Sequence, residues 1–125
     1  MAGQFDALVE QLRQLMRSAA VGMEDVREAE GGCLLLAPWD NPRKAGERMW
    51  FGSVRAGKAY VSYHLMPVYT HAALAAKISP ALRKRMQGKS CFNFKVADEA
   101  LFTELEALTR EGASLYAAPL EVETR

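Results

Sequence analysis

The chain has 125 residues, of which 50% are hydrophobic and 25% charged, and its formal net charge is +1 at neutral pH. This composition is that of an ordinary globular protein and excludes an intrinsically disordered chain. A net charge so close to zero also excludes the strongly basic surface that would mark nucleic acid or an anionic membrane as the main partner. The length predicts a single domain over residues 1–125.

The chain contains two cysteines, Cys33 and Cys91, and neither stands in a CxxC or Cys/His spacing. We therefore expect reduced thiols in a cytoplasmic protein, with no disulfide. The N-terminal segment carries Asp6 and Glu10 and lacks an apolar signal core, so it does not read as a secretory signal. No apolar run approaches the roughly 18 residues that a membrane span needs.

The first predicted element is a helix near the N-terminus. Its apolar residues recur at helical spacing and form one stripe; they are Phe5, Leu8, Val9, Leu12, Leu15 and Met16. Gly22 is expected to end this helix. Further along, Gly31-Gly32 separates two short runs, which predicts a hairpin of strands 26–30 and 33–37. Residues 38–46 begin with a proline and hold a second one, so we expect a loop there.

The second hairpin is the stronger prediction, with strands 49–55 and 59–66 around Gly57. A three-residue loop would pair Trp50 with His64, whereas a two-residue loop would shift the pairing by one residue. The alternation within the second strand does not depend on this choice. It predicts a core set (Val61, Tyr63, Leu65) and an outward set (Tyr60, Ser62, His64).

The remaining elements are three helices and a strand. Residues 69–77 are rich in alanine and predict a helix, and Ser79-Pro80 predicts the N-cap and first turn of a short helix through Met86. Strand 89–96 would point Phe92, Phe94 and Val96 inward, and Cys91, Asn93 and Lys95 outward. Asp98 should cap a last helix with a buried stripe of Leu101, Phe102, Leu105, Leu108 and Leu115.

In this order of elements the strands are joined by tight turns and not by helical crossovers. We therefore predict an α+β fold with a mainly antiparallel sheet and helices packed on one face.

Two outward-facing residues, His64 and Cys91, could take part in a reaction or bind a metal. His64 lies on the polar face of its strand, and histidine suits proton transfer or metal ligation near neutral pH. Cys91 follows Lys89, which could lower the pKa of the thiol and make it a nucleophile. A Cys91–His64 pair would form if their strands are neighbours. The alternatives are a histidine hydrogen-bonded to the sheet and a cysteine that serves in packing.

The basic run around Arg85 and Lys89 lacks the first glycine of a phosphate-binding loop and follows a helix, so a P-loop is excluded. Its cations could still bind an anion; they are Arg83, Lys84, Arg85 and Lys89. An acidic strip near the first hairpin could attract cations weakly; it comprises Glu24, Asp25, Glu28 and Glu30. His64 and His71 have no nearby carboxylate, so we expect no metal site and no cofactor.

The segments YVSYHLMPVY (60–69), ISP (78–80) and KRMQGKSCFNF (84–94) resemble the YdhG-like family of small bacterial proteins of unknown function. The resemblance is best over residues 48–116. It covers a hairpin that contains glycine, an aromatic-His strand end, a Lys-Arg-x-x-Gly-Lys segment and a closing helix. It implies an α+β domain, and one branch of the family has been proposed to act as frataxin-like iron chaperones. The family supplies no agreed catalytic residues.

Three hypotheses about function follow. The first is a non-enzymatic module for a small anionic ligand, with a polar-aromatic sheet face and a basic helix end; its residues are Trp50, Tyr60, Ser62, His64, Arg85, Lys89, Asn93 and Lys95. The second is an iron-handling or protein-interaction role that involves the acidic strip. The third is a thiol enzyme that uses Cys91 and His64. An exposed edge strand, with Trp39 or Trp50 at the surface, would permit a homodimer.

Overall fold

The structure, a computed structural model, describes residues 5–27, 32–44 and 46–120. Eleven elements follow one another along these residues. They are α1 (Asp6–Ala19), β1 (Glu24–Arg27), β2 (Cys33–Asp40), β3 (Arg48–Ala56), β4 (Val61–Leu65), α2 (Met66–Thr70), α3 (Ala72–Ala75), α4 (Pro80–Arg83), β5 (Met86–Gln87), β6 (Cys91–Phe94) and α5 (Glu99–Leu115).

Within the described ranges, all strand pairs are antiparallel and form one sheet in the order β1-β2-β3-β4-β6-β5. Helices α1 and α5 pack against each other, α1 also contacts β3 and β4, and the short helices α2, α3 and α4 contact α5. The predicted α+β fold is therefore confirmed. The core lies between the sheet and these helices and leaves the opposite sheet face for polar side chains.

Helix α1 has the predicted apolar stripe. Leu8, Val9, Leu12 and Met16 are buried, whereas Phe5 and Leu15 are partly buried at the edge of the core. Gly22 follows the helix with a φ of 87°, a conformation that glycine adopts without strain. The helix lies close to the sheet, since a Cβ atom placed on Gly52 of β3 would come within 2.8 Å of Met16 Cε.

The first hairpin differs from its prediction in where its first strand starts and where its second strand ends. Strand β1 starts at Glu24, which pairs with Leu36, and the predicted Gly31-Gly32 turn lies partly outside the described residues. Strand β2 runs on through Asp40, so the loop predicted over residues 38–46 begins only after Asp40. The ladder is irregular between Leu36 and Asp40, which lets Pro38 sit in the strand without an N–H to donate. The indole N–H of Trp39 donates to the Tyr116 carbonyl oxygen over 2.7 Å and anchors this end of β2 to the core.

The second hairpin forms, but with a different register. Ser53, and not Trp50, stands opposite His64, and Trp50 pairs with Leu36 of β2. The connection is longer than predicted because the strands stop at Ala56 and Val61, with a hydrogen bond of 2.8 Å from Gly57 N–H to the Tyr60 carbonyl.

The predicted alternation of β4 is confirmed because it depends on the core and not on the loop. The side chains of Val61, Tyr63 and Leu65 are fully buried. A bulge in β3 opposite Leu35 and Leu36 makes Phe51 the extra residue of that strand, and Phe51 is buried as well.

The segment between β4 and β6 is more broken than predicted. The helix expected over 69–77 is two short helices, because His71 has extended backbone angles between them. Ser79 caps α4 as predicted, accepting a hydrogen bond of 3.1 Å from the Leu82 N–H. However, α4 ends at Arg83, and Met86 lies in β5, where it pairs with Phe92.

The last strand and helix follow the prediction in outline. Strand β6 is shorter than predicted, and Val96 is 73% exposed instead of inward-facing. The Asp98 carboxylate caps α5 by accepting from the Leu101 N–H over 3.1 Å. Leu115 is exposed, contrary to the prediction, and the fully buried ring of Tyr116 fills the core at this end.

The close approach of α1 to β3 yields a stability prediction. Replacing Gly52 with alanine would place Cβ 2.7 Å from the His64 carbonyl oxygen and 2.8 Å from Met16 Cε. The backbone oxygen cannot move away without disturbing the β3–β4 ladder, so we expect a loss of about 1–3 kcal/mol in the free energy of unfolding, measured by urea denaturation. The matched control, Ala56→Ser at the exposed end of β3, should change it by less than about 0.5 kcal/mol. Equal stability of both variants would contradict the close packing.

Candidate functional site

The outward face of β4, β5 and β6 carries a ladder of polar side chains that bond to one another. The Ser62 hydroxyl donates to the side-chain oxygen of Asn93 over 2.9 Å. The Asn93 amide donates to the Gln87 side-chain oxygen over 2.8 Å, and the Tyr60 hydroxyl donates to the same oxygen over 3.1 Å. A ligand would have to displace these bonds, so the ladder is best understood as a tie between the three strands. Gln87 was missed from sequence because strand β5 was not predicted.

The other residues of the predicted binding face are spread out. Trp50 is 51% exposed and pairs with Leu36 of β2, outside the part of β3 that pairs with β4. Arg85 has an exposed side chain, and its backbone oxygen accepts the Asn93 N–H over 2.8 Å. Lys95 is exposed just beyond the end of β6. Side-chain hydrogen bonds therefore join Tyr60, Ser62 and Asn93 through Gln87, and Arg85 contacts this group through its backbone.

At the other end of β4, His64 and Cys91 form a direct side-chain contact. They are opposite residues in the β4–β6 ladder, and His64 Nδ1 lies 3.1 Å from Cys91 Sγ. The Ser90 hydroxyl lies 3.3 Å from the same nitrogen. Ser90 is itself held by its backbone oxygen, which accepts the Leu65 N–H over 2.8 Å. The strand register thus provides the geometry of the Cys–His pair.

Partial burial keeps this pair neutral. Burial lowers the pKa of His64 below its ordinary value of 6.5, because removal from water disfavours the imidazolium. Burial likewise raises the pKa of the Cys91 thiol, since it disfavours the thiolate. No charged group among the described residues contributes to either shift. At neutral pH the contact is therefore a thiol beside a neutral imidazole, and the lowered thiol pKa expected from Lys89 is wrong.

The second ring nitrogen of His64 is buried. Within the part of the chain that the structure describes, Nε2 has no hydrogen-bond partner. When the thiol donates to Nδ1, the imidazole proton resides on Nε2, where it has no acceptor among the described residues. An unsatisfied buried donor costs free energy that a purely structural site would avoid.

A cleft of about 560 Å³ opens between α2, α3 and the β5–β6 turn. Its floor is mostly apolar, and its rim carries an aromatic ring and two cations. The lining residues are Val68, Tyr69, Ala72, Ala75, Ile78, Arg83, Met86, Gly88 and Lys89. Of the residues predicted to bind an anion or another ligand, Arg83 and Lys89 line this cleft. The cleft was not predicted because residues 69–77 were expected to form one continuous helix, whereas the chain changes direction at His71 between α2 and α3.

Lys89 and Arg83 differ in how they are held at the rim. Lys89 Nζ stands 5.8 Å from the centre of the Tyr69 ring, within the range of a cation–π contact. Arg83 Nη2 donates to the carbonyl oxygens of Ala75 and Ile78 over 3.1 and 3.4 Å. These bonds use one nitrogen of a guanidinium that has five N–H donors, so donors remain for an anion. The part of the lining that is described contains no acidic side chain.

The acidic strip is engaged by arginines. Glu24 forms a salt bridge of 3.0 Å with Arg48, and Asp25 pairs with Arg17. Glu28 and Glu30 lie outside the described residues. No group of three or more His, Cys, Asp or Glu side chains that could hold a metal occurs within ranges 5–27, 32–44 and 46–120. His71 lies 3.0 Å from the Thr70 hydroxyl and packs against the Tyr116 ring.

Comparison with known proteins adds no relative, since no family model, curated protein or solved structure matches the chain. The resemblance to YdhG-like proteins therefore stays a prediction. Among the helices described above, none is long and apolar enough to cross a membrane.

The burial of neutral His64 predicts a pH dependence of stability. With a folded-state pKa below that of the unfolded chain, the unfolded state binds the proton first as the pH falls through about 6.5. The stability that His64 contributes is thus complete above that pH and declines as the pH approaches its folded-state pKa. We expect NMR titration to place the His64 pKa below 6.5, and urea denaturation at pH 7.5 and 5.5 to show a smaller loss of stability for His64→Gln than for the wild type. An equal loss in both proteins would contradict this assignment.

Proposed function

We propose that this protein is a non-enzymatic module that binds a small anion with an apolar body in the cleft between α2, α3 and the β5–β6 turn. The observation that carries the proposal is the placement of Arg83 and Lys89 at the rim of a mainly apolar cleft of about 560 Å³. That volume is in the range of small-molecule pockets. Cations above an apolar floor favour a carboxylate or phosphate attached to an aromatic or aliphatic group.

The cleft is a better binding site than the polar ladder because its cation is free to bind a ligand at a smaller energetic cost. The polar ladder of Tyr60, Ser62, Gln87 and Asn93 has its hydrogen-bonding groups engaged within the sheet. Among the described residues, the Lys89 ammonium lies over the face of the Tyr69 ring, which is itself 57% exposed. An exposed cation–π contact contributes about 0.5–1 kcal/mol, so an arriving anion can replace it at small cost. The Lys89 ammonium at the cleft can therefore turn from the Tyr69 ring to a bound anion, whereas the polar ladder has no such group.

The proposal also covers the cellular compartment and the family of the protein. Two free cysteines suit a reducing compartment, so we place the protein in the cytoplasm. The resemblance over residues 48–116 includes the Lys89 turn, and it supports a place among YdhG-like bacterial proteins. An iron-handling role has less support, because Glu24 and Asp25 are paired with arginines and a ferrous ion would have to displace them.

A defined aromatic anion tests the cleft. The probe is 2-naphthoate, and isothermal titration calorimetry measures its Kd for the wild type and for two charge-removing variants. Lys89→Met keeps the aliphatic stem but loses the rim cation, so we expect binding about tenfold weaker, on the order of 1.4 kcal/mol. Lys95→Met, the matched control at an exposed lysine outside the cleft, should bind as the wild type does.

Two further comparisons separate charge from shape. The neutral analogue 2-naphthamide should bind the wild type more weakly than 2-naphthoate does. It should bind Lys89→Met as well as it binds the wild type, because only the anion uses the ammonium. Ala72→Leu, at an exposed position in the cleft wall, should weaken both probes by filling space. The proposal fails if the wild type binds naphthoate no better than the amide, or if the Lys95 variant loses as much affinity as the Lys89 variant.

A further inference from the structure

We propose that Cys91 is a nucleophile toward soft electrophiles and that His64 Nδ1 is its general base. This activity is separate from the proposed ligand binding, because neither residue lines the Lys89 cleft. Three observations carry the inference: the Sγ–Nδ1 distance of 3.1 Å, the partial exposure of the thiol, and the buried His64 Nε2 without a partner in the described ranges.

The distance suits proton transfer. A thiol and an imidazole nitrogen at 3.1 Å are within hydrogen-bond reach, which is the arrangement that a nucleophile and its base require. The position is imposed by adjacent antiparallel strands, since His64 and Cys91 are ladder partners, and rigid elements hold reacting groups better than loops do. The Ser90 hydroxyl, 3.3 Å from the same nitrogen, is placed to orient the ring.

The neutral state of the pair determines the mode of reaction. With burial keeping the thiol protonated and the imidazole unprotonated, the base must act while the new bond forms. In alkylation by iodoacetamide, a bond forms between Sγ and the methylene carbon as the carbon–iodine bond breaks. Iodide leaves with the bonding electrons, and the thiol proton moves to Nδ1. The imidazolium then loses a proton to water, so the reaction needs no oxidant or reductant.

The chain contains its own reference thiol. Cys33 is 5% exposed and lies in the core cluster, and burial raises its pKa to about 11. It has no imidazole partner among the contacts described. Any reactivity that is specific to Cys91 can therefore be measured in the same molecule and under the same conditions.

The test is the rate of alkylation by iodoacetamide, followed residue by residue by mass spectrometry of peptides from the folded protein. A thiol with the ordinary pKa of about 8.5 is about 3% thiolate at pH 7, and burial leaves Cys91 with less. Without a base, its rate should rise about tenfold per pH unit from pH 6 to 8. With His64 as base, the rate should instead level off above the His64 pKa and stay nearly constant to pH 8.

Variants separate the base from its surroundings. His64→Gln retains a polar side chain without the base, and we expect alkylation of Cys91 at pH 7 to slow at least about tenfold. In His64→Ala, added imidazole should restore part of the rate, which a purely structural role would not produce. Lys95→Met, at an exposed lysine outside the cleft, should leave the rate within about twofold, because no charged group among the described residues contributes to the neutral state of the pair. Circular dichroism and the unchanged protection of Cys33 confirm that each variant is folded.

The outcomes are distinguishable from those for the cleft. A pH profile that rises tenfold per unit in the wild type, or equal rates for the wild type and His64→Gln, would overturn the dyad and leave naphthoate binding untouched. Two results together support both assignments: Lys89→Met loses naphthoate affinity, and the alkylation rate of Cys91 in the wild type levels off above the His64 pKa. A slow rate at Cys91 that matches the rate at Cys33 would show that the thiol is a packing residue.

Discussion

The structure depends on the register of β4, the strand with β3 on one side and β6 on the other. Val61, Tyr63 and Leu65 are fully buried against the helices, and a shift by one residue would turn them to the outside. Tyr63 adds a second restraint, because its hydroxyl bonds to the buried Thr109 hydroxyl of α5. With the inward set held in this way, His64 must project from the opposite face and meet Cys91.

The same constraint divides the outward face into two regions. Toward the start of β4, Tyr60 and Ser62 join Gln87 and Asn93 in a ladder whose polar groups bond within the sheet. Toward its end, His64 meets a thiol and a hydroxyl that leave its Nε2 unsatisfied among the described residues. Strand β4 thus contributes both to a stabilising hydrogen-bond network and to the His64–Cys91 contact.

Burial, and not charge, sets the electrostatics of that contact. The basic run precedes Cys91 closely in sequence, yet the Lys89 ammonium turns toward the Tyr69 ring and the thiol pKa rises. Lys89 and Arg83 instead line the cleft between α2, α3 and the β5–β6 turn. The desolvated Cys91–His64 pair and the lysine beside Tyr69 therefore lie at separate places in the fold, as do the two proposed activities.

The local pattern of the sequence was sufficient for the α1 stripe, the alternation of β4, the caps at Ser79 and Asp98, and the antiparallel α+β class. These features depend on periodicity and on hydrogen bonds between residues close in the chain, which a single sequence displays. Tertiary packing decided the rest. Trp39 draws β2 past Pro38 by bonding to the Tyr116 carbonyl, and a bulge at Phe51 resets the partners of Trp50.

The candidate sites show the same division. His64 and Cys91 could be named from residue type and strand alternation, but their 3.1 Å contact required the β4–β6 register, which no local pattern specifies. The cleft required the break at His71 and the short strand β5, which pairs with β6 through Met86 and Phe92. The sequence by itself determined which residues of α1 and β4 face inward and which face outward. Only the tertiary structure decided which outward residues meet, because pairing between strands is a long-range contact.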